Sequence, residues 1–338
     1  MSCSVWTRLR DALLGLALVA AAAGPVAAEE EGLVVYTSQH AALTQAWADG
    51  FTAATGTPVT IRKGTDTVMA NQIIQEGAHS PADVFLTENS PAMAMVEEAG
   101  LFAPVAEATL AQVPEEFRPA SGMWTGIAAR TTVFAYNSEL LAEADLPASM
   151  LDLAKPEWKG RWGAAPAGAD FQAIVSALLQ LRGPEETGNW LVGLKENALA
   201  YRGNFEAMRG ANVGEVEGAV IYQYYYFGDR AGTSESSDKV ELHYFAAGDP
   251  GAFVSVSGGG VLASSSHPQA AQAFLAFVTG PEGQAIVRDG DSFEYAIASG
   301  VASNPALKPL AELDYPKVDP SILNAAEVVA LMTAAGVL

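Results

Sequence analysis

The alternation of strand and helix signals between residues 33 and 100 constrains this chain more than any other feature. Leu33 to Thr37 is a short β-rich run. Leu43, Trp47 and Phe51 then recur at a spacing of four, which lines one face of a helix, and Gly56 closes it. Pro58 to Ile61 reads as a second strand, Val68, Met69, Gln72 and Ile73 as a second helix, and Asp83 to Leu86 as a third strand. Ser90 and Pro91 open another helix as N-cap and first-turn proline, and Gly100 ends it. A βαβαβ order implies a parallel sheet covered by helices, because the crossovers lay the helices on the sheet faces.

The rest of the chain keeps this α/β character. Thr131 to Tyr136 reads as a strand, Phe171 to Leu181 as an apolar helix continued at Trp190 to Leu194, and Ala219 to Tyr222 as another strand. Near Phe253 a further apolar strand begins, followed by Ser257-Gly258-Gly259-Gly260 and Val261-Leu262. A helix from Pro268 carries Ala271, Phe274, Leu275 and Val278 on one face and stops at Gly280-Pro281, and Ala325 to Ala335 reads as a final helix. No internal repeat or low-complexity linker is visible. A chain of this length usually exceeds one core, so two domains are expected, and without a linker the chain should cross between them more than once.

Residues 1–28 read as a secretory leader: Arg8 and Arg10 precede the apolar run 13–23, and Val26-Ala27-Ala28 offers small residues before a cut. The run is too short to span about 30 Å of hydrocarbon. The expectation is a soluble, monomeric protein exported to a periplasm. The single cysteine, Cys3, falls in the leader, so disulfides and thiolate metal sites are excluded from the mature chain. With 39 acidic against 18 basic residues the net charge is -21, which argues against nucleic acid and anionic membranes as partners and is compatible with cation capture.

Four features sit where strands end or begin. His40 follows the first strand and Glu88 the third. Arg130 precedes the strand Thr131 to Tyr136, and Tyr222-Gln223-Tyr224-Tyr225-Tyr226 ends a strand. Ligands of open α/β sheets bind beyond the carboxyl ends of the strands. His40 and Glu88 should therefore meet at one edge, with the tyrosines presented from the other half. Each also has a plainer reading: a loop histidine, an acid favoured near a helix N-terminus, an aromatic packing patch, a surface ion pair. His79, His243 and His267 lie away from these features and read as surface or core residues, with His267-Pro268 a helix start.

In combination these residues resemble a known family. The segments Val34-Val35-Tyr36-Thr37-Ser38-Gln39-His40, Ser80-Pro81-Ala82-Asp83-Val84-Phe85, Glu88 with Ser90-Pro91-Ala92, Lys155-Pro156-Glu157-Trp158-Lys159-Gly160-Arg161, Tyr224-Tyr225 and Gly248-Asp249-Pro250-Gly251-Ala252 resemble the periplasmic ferric-iron-binding proteins of ABC-type importers, a branch of the extracellular solute-binding proteins. The resemblance implies a two-lobed α/β periplasmic-binding-protein fold of type II, each lobe a sheet flanked by helices. Residues 29–130 plus 256–305 would form the first lobe and 131–255 plus 306–338 the second. The lobes would be hinged by strands crossing near Arg130–Thr131 and Phe253–Ser257. It further implies ferric iron in the interlobe cleft, delivered to a membrane permease, rather than catalysis.

By the same resemblance His40, Glu88, Tyr224 and Tyr225 match the metal ligands. The chemistry agrees, since Fe³⁺ is a hard cation that prefers anionic oxygen and can drive a proton off a phenol. Two octahedral positions remain for water or a small anion such as carbonate or phosphate, and Arg130 matches the arginine that accompanies such an anion. The turn Pro166-Ala167-Gly168-Ala169-Asp170 departs from the family pattern. It lacks hydroxyl and amide side chains and carries an acid. Asp170 could repel an anion, ligate the metal or face solvent. Tyr222 and Tyr226 read as packing residues, with Tyr222 a candidate for hydrogen bonding in the site. The rival is a sister binding protein for a phosphonate, a thiamine-like cation or a polyamine, whose site would not need paired phenols with Glu and His. A non-haem iron oxygenase would typically need two histidines and a carboxylate, and only one histidine is well placed.

Overall fold

The computed structural model describes residues 32–338, so the leader read at residues 1–28 lies outside the described residues. The strands and helices β1 (Leu33–Thr37), α1 (Ala41–Thr55), β2 (Val59–Lys63), α2 (Asp66–Glu76), β3 (Val84–Leu86) and α3 (Ser90–Glu98) follow one another as the alternation predicts. Helix α1 buries Leu43, Trp47 and Phe51, and Gly56 caps it at φ 80°, a backbone region a Cβ disfavours. Strand β1 pairs in parallel with β2 on one side and β3 on the other. The carboxyl ends of β1 and β3 therefore point the same way, and the residues that follow them share an edge.

Next come β4 (Phe102–Ala103), α4 (Glu107–Leu110), β5 (Thr125–Asn137), β6 (Trp162–Ala164), α5 (Ala169–Asn197), β7 (Ala198–Ala200) and α6 (Asn204–Asn212). The chain continues through β8 (Gly218–Tyr222), α7 (Gln223–Ala231), β9 (Val240–His243), β10 (Val254–Leu262), α8 (Pro268–Thr279), α9 (Pro281–Asp289) and α10 (Ala325–Ala334). Helix α5 breaks at Gly183, which has φ 80° and is followed by Pro184. Gly280-Pro281 stops α8 as expected, but Pro281 also opens α9, because a proline fits the first turn of a helix. Among the described residues no helix is long and apolar enough to cross a membrane.

The strands run in the order β2-β1-β3-β10-β5-β8-β6-β7, with β4 beside β10 and β9 beside β5. The parallel sheet expected of the opening unit is present in β1, β2 and β3, and β6 also runs parallel to β7 and β8, whereas the strands between are antiparallel. Strand β10 runs antiparallel to both β3 and β5, and β5 runs antiparallel to β8 and β9. The sheet is mixed because a segment from late in the chain returns to fill the gap between β3 and β5. Strand β5 serves both halves: Thr131 still pairs with Val254 of β10, whereas Thr132 pairs with Tyr222 of β8. This strand is longer than expected and begins at Thr125, so Arg130 lies inside it rather than ahead of it. All of its residues are buried. With both faces covered there is no alternation to read.

Two aromatic-rich cores lie on either side of the β5–β10 pair. One gathers Leu33, Trp47, Phe51, Phe274 and Leu275. The other gathers Phe134, Trp158, Trp162, Phe171 and Trp190. The glycines of β10 permit close packing on the first side. A Cβ at Gly258 would lie 2.3 Å from Met93 Cγ, and one at Gly260 2.6 Å from Phe102 Cε1. Gly258→Ala is therefore expected to cost about 1–3 kcal/mol of stability through overpacking. Urea denaturation measures this, and an unchanged midpoint would show that Met93 swings aside freely.

Candidate metal-binding site

Both halves of the sheet deliver polar side chains to one place. His40 occupies the N-cap position of α1 but makes no cap bond; its Nε2 lies 3.0 Å from Glu88 Oε1. Glu88 sits in the short connection between β3 and α3. From the other half, Tyr222 ends β8, and Gln223 begins α7. The tyrosine run expected to end a strand thus continues as a helical first turn. That turn carries Tyr224 and Tyr225 side by side, with ring centroids 4.2 Å apart. Tyr226 faces elsewhere, against Phe227 and Arg230.

Asp170 closes the cluster from the first turn of α5. It is 4% exposed, so the solvent-facing alternative for this residue is ruled out. The Tyr224 hydroxyl lies 2.9 Å from Glu88 Oε1 and 2.8 Å from Asp170 Oδ2. The Tyr225 hydroxyl donates to the same Asp170 Oδ2 at 3.0 Å. His40 stands edge-on to Tyr224, with ring centroids 4.7 Å apart. One imidazole nitrogen, two phenol oxygens and two carboxylates are thus linked by contacts of 2.8–3.0 Å. These are ordinary hydrogen-bond lengths, and they gather the five groups at one place. Among the described residues no group of three or more His, Cys, Asp and Glu is arranged to hold a metal ion, so a hard cation here needs the phenols.

Residues outside the expected set hold these groups in place. Asn204 Nδ2 donates to Asp170 Oδ2 at 2.9 Å, and Asn89 Nδ2 donates to Asp170 Oδ1 at 2.9 Å. Buried Asp66 accepts the backbone N–H groups of Glu88 and Asn89, each at 3.0 Å, and also the Ser38 hydroxyl. Asn89 occupies the N-cap position of α3, one residue before the expected Ser90, and its side chain makes no cap bond. Arg130 is fully buried on β5, where its two terminal nitrogens donate to Glu294, Ser257 and the Glu88 carbonyl. Tyr222 donates to the Asp170 carbonyl at 3.3 Å.

Sequence reasoning did not single out Asp66, Asn89, Asn204 or Glu294. Only Asn89 carried a signal, as the neighbour of Glu88. The others reach the site through folding alone.

Burial dominates the electrostatics. It pushes the Tyr224 and Tyr225 phenols well above their ordinary range, and the charges of Asp170 and Glu88 add to the shift. Burial also raises the Glu88 carboxyl, but the hydrogen bond from His40 and the Arg130 charge outweigh it, so Glu88 lies below the usual carboxylate range. Asp170 is raised by burial and by the charge of Glu88. Burial disfavours the charged form of His40, yet its hydrogen bond to Glu88 and the Glu294 charge leave it raised. The metal-free site therefore holds its phenols protonated and Glu88 ionised.

A cavity of about 440 Å³ adjoins the cluster, walled by Ser38, Thr65, Asp66, Gly168, Asn204 and Tyr225. A larger one of about 710 Å³, by Phe117, Arg118 and Tyr315, contains none of these donors.

Comparison with known proteins places this geometry in context. A family model described as bacterial extracellular solute-binding protein matches residues 79–319. The chain is 56% identical over 327 residues to the Fe(3+)-binding periplasmic protein of Serratia marcescens, covering 97% of each chain. It is 35% identical over 323 residues to the major ferric iron-binding protein of Neisseria meningitidis serogroup B, covering 95% of this chain and 96% of the other. Among solved structures, iron-bound HitA from Pseudomonas aeruginosa superposes with a TM-score of 0.85 at 44% identity, over 90% of this chain and 99% of that one.

Proposed function

Because this chain belongs to the bacterial extracellular solute-binding proteins, we propose that it captures ferric iron between two lobes and delivers it to the membrane permease of an ABC-type importer. Its fold is the two-lobed type II periplasmic-binding-protein fold. In this reading the lobes divide near Arg130 and Val256, where β5 and β10 pass from one half of the sheet to the other. The leader directs the chain to a periplasm, where it works as a soluble monomer.

The observation that carries the reading is the convergence of five donors, His40, Glu88, Tyr224, Tyr225 and Asp170, from both halves of the sheet onto one buried place. Two phenolates and Glu88 neutralise the three charges of Fe³⁺, and His40 adds a neutral nitrogen. Asp170 supplies a fifth ligand where an exogenous anion would otherwise sit. Arg130 supports this assignment, because its terminal nitrogens are committed to Glu294, Ser257 and the Glu88 carbonyl. The adjoining cavity is walled by Asp66, Glu88 and Asp170, which repel an anion.

The first test is the visible spectrum of the Fe³⁺-loaded protein before and after a ferric chelator. A phenolate-to-iron band that disappears with the metal is expected, and its absence would remove the ferric reading. The second test concerns the anion. Binding by the native protein should be the same in carbonate, phosphate and citrate at matched pH, after correction for iron held by the anion itself. Asp170→Ala should bind more weakly and become anion-dependent. Anion dependence already present in the native protein would return the fifth position to an exogenous ligand.

A further inference from the structure

One side chain ties the two lobes together without being a candidate ligand. Asn89 follows Glu88 and is 1% exposed. Its amide nitrogen donates to two carboxylates from different lobes: Asp66 Oδ2 at 3.2 Å and Asp170 Oδ1 at 2.9 Å. Its amide oxygen accepts from Ser255 Oγ at 3.1 Å and Arg130 Nη1 at 3.4 Å, both on the crossing strands. Its backbone N–H is bound to Asp66 as well. Every hydrogen-bonding capacity of the amide is used. The orientation follows from the partners: Arg130 can only donate, so the oxygen must face it and the –NH₂ must face the acids.

We propose that Asn89 is the latch of the cleft, a positioning residue that holds the lobes closed by donating to the Asp170 oxygen turned away from the tyrosines. This rests on the ferric reading of the site. Asp170 presents Oδ2 to Tyr224, Tyr225 and Asn204 and leaves Oδ1 for Asn89. When the second lobe brings Asp170 into the cleft, its carboxylate meets both the phenol cluster and the Asn89 amide. In an open cleft Asn89 keeps Asp66, Ser255 and Arg130 and loses only Asp170. The Asn89–Asp170 bond thus separates the closed state from the open one alongside the Tyr224–Glu88 bond, and of the two it is the one whose donor is not a candidate ligand. The latch makes residence time in the cleft a property of the lobes as well as of the ligands.

The experiment uses Asn89→Asp, which keeps the shape and replaces the donor by an acceptor, alongside Asn89→Ala. Each is loaded with Fe³⁺ and mixed with excess chelator. Release is expected to be about 10- to 100-fold faster than from the native protein, the loss of one hydrogen bond to a charged group. The phenolate band should keep its position. Small-angle scattering of the loaded variants should show a larger radius of gyration than the native loaded protein. Asn204→Ala, which also removes a donor to Asp170 but lies in the same lobe, should leave the radius unchanged.

Native release and a native radius in both Asn89 variants would overturn the latch. A displaced band in a variant with native circular dichroism would place Asn89 in the metal shell and also overturn it. A native protein that shows no band with Fe³⁺ fails the ferric reading instead. Scattering of the metal-free native and Asn89→Asp proteins then decides the latch by itself, an equal radius counting against it.

Discussion

Tyr224→Phe and Tyr225→Phe are each expected to bleach most of the visible absorption of the Fe³⁺-loaded protein and to weaken Fe³⁺ binding at least about a hundredfold. The substitution keeps the ring and its packing and removes one oxygen. For a trivalent ion in a buried site, that oxygen is one of its anionic ligands, and deleting one partner from a buried charged set typically costs about 3–5 kcal/mol. Tyr224 should suffer more, because its hydroxyl also links Glu88 to Asp170 across the cleft. Tyr226→Phe is the internal control, since its ring packs on Phe227 with centroids 5.2 Å apart and takes no part in the cluster. Titration with a competing chelator, read in the visible, measures all three. Equal bleaching in all three would mean that the pair is wrongly chosen, and a silent Tyr224→Phe together with a silent Tyr225→Phe would reduce the run to aromatic packing.

Fe³⁺ affinity is also expected to fall steeply with pH, by about a hundredfold for each unit between pH 8 and 7. Burial and the neighbouring carboxylates hold both phenols above their ordinary value, so the metal-free protein carries both protons at neutral pH. Binding must expel them, and each released proton makes the apparent affinity tenfold weaker per unit of acidification. The folded pKa of His40 is raised above its ordinary value. As pH falls through that value the imidazole is protonated, a third proton must leave, and the slope steepens. Glu88, held below the usual carboxylate range, adds nothing until the pH is acidic. Asp170 is shifted the other way and joins the release earlier than Glu88. A pH-stat titration near pH 7.5, corrected for the chelator that supplies the iron, should count about two protons per Fe³⁺. A count near zero would contradict phenolate ligation.

The legible parts of this protein were those with local periodicity. The opening β1 to α3 unit declared itself through the spacing of Leu43, Trp47 and Phe51 and through Gly56, and the structure reproduces it within a few residues. Strand β5 was legible only over Thr131 to Tyr136; its first part was not, because a strand buried on both faces has no alternation, and the small residues Gly126, Ala128 and Ala129 disguised it. The antiparallel insertion of β10 is a long-range pairing that no local pattern encodes.

At the site, His40 and Glu88 could be placed together because they follow parallel neighbouring strands. Asp170 was visible only as an acid in an unexpected turn, and its bonds to both phenols depend on how α5 meets α7. Glu294 could not have been foreseen. It reaches Arg130 from a segment without regular structure, far along the chain, to neutralise a buried cation.

The position of β10 has a consequence for the order in which the molecule can be made. Strands β3 and β5 lie on either side of it; β3 has β1 and β5 has β8 and β9 on their other edges, but neither has a neighbour on the β10 side until residues 254–262 exist. A nascent chain that has reached only α7 therefore presents two bare sheet edges and an incomplete first lobe. Its early βαβ unit cannot commit to the final core, and the sequence-distant closure that completes it belongs to the slow class of folding events. A polypeptide that stays uncommitted until most of its length is available fits the export proposed for this chain, which needs it extended.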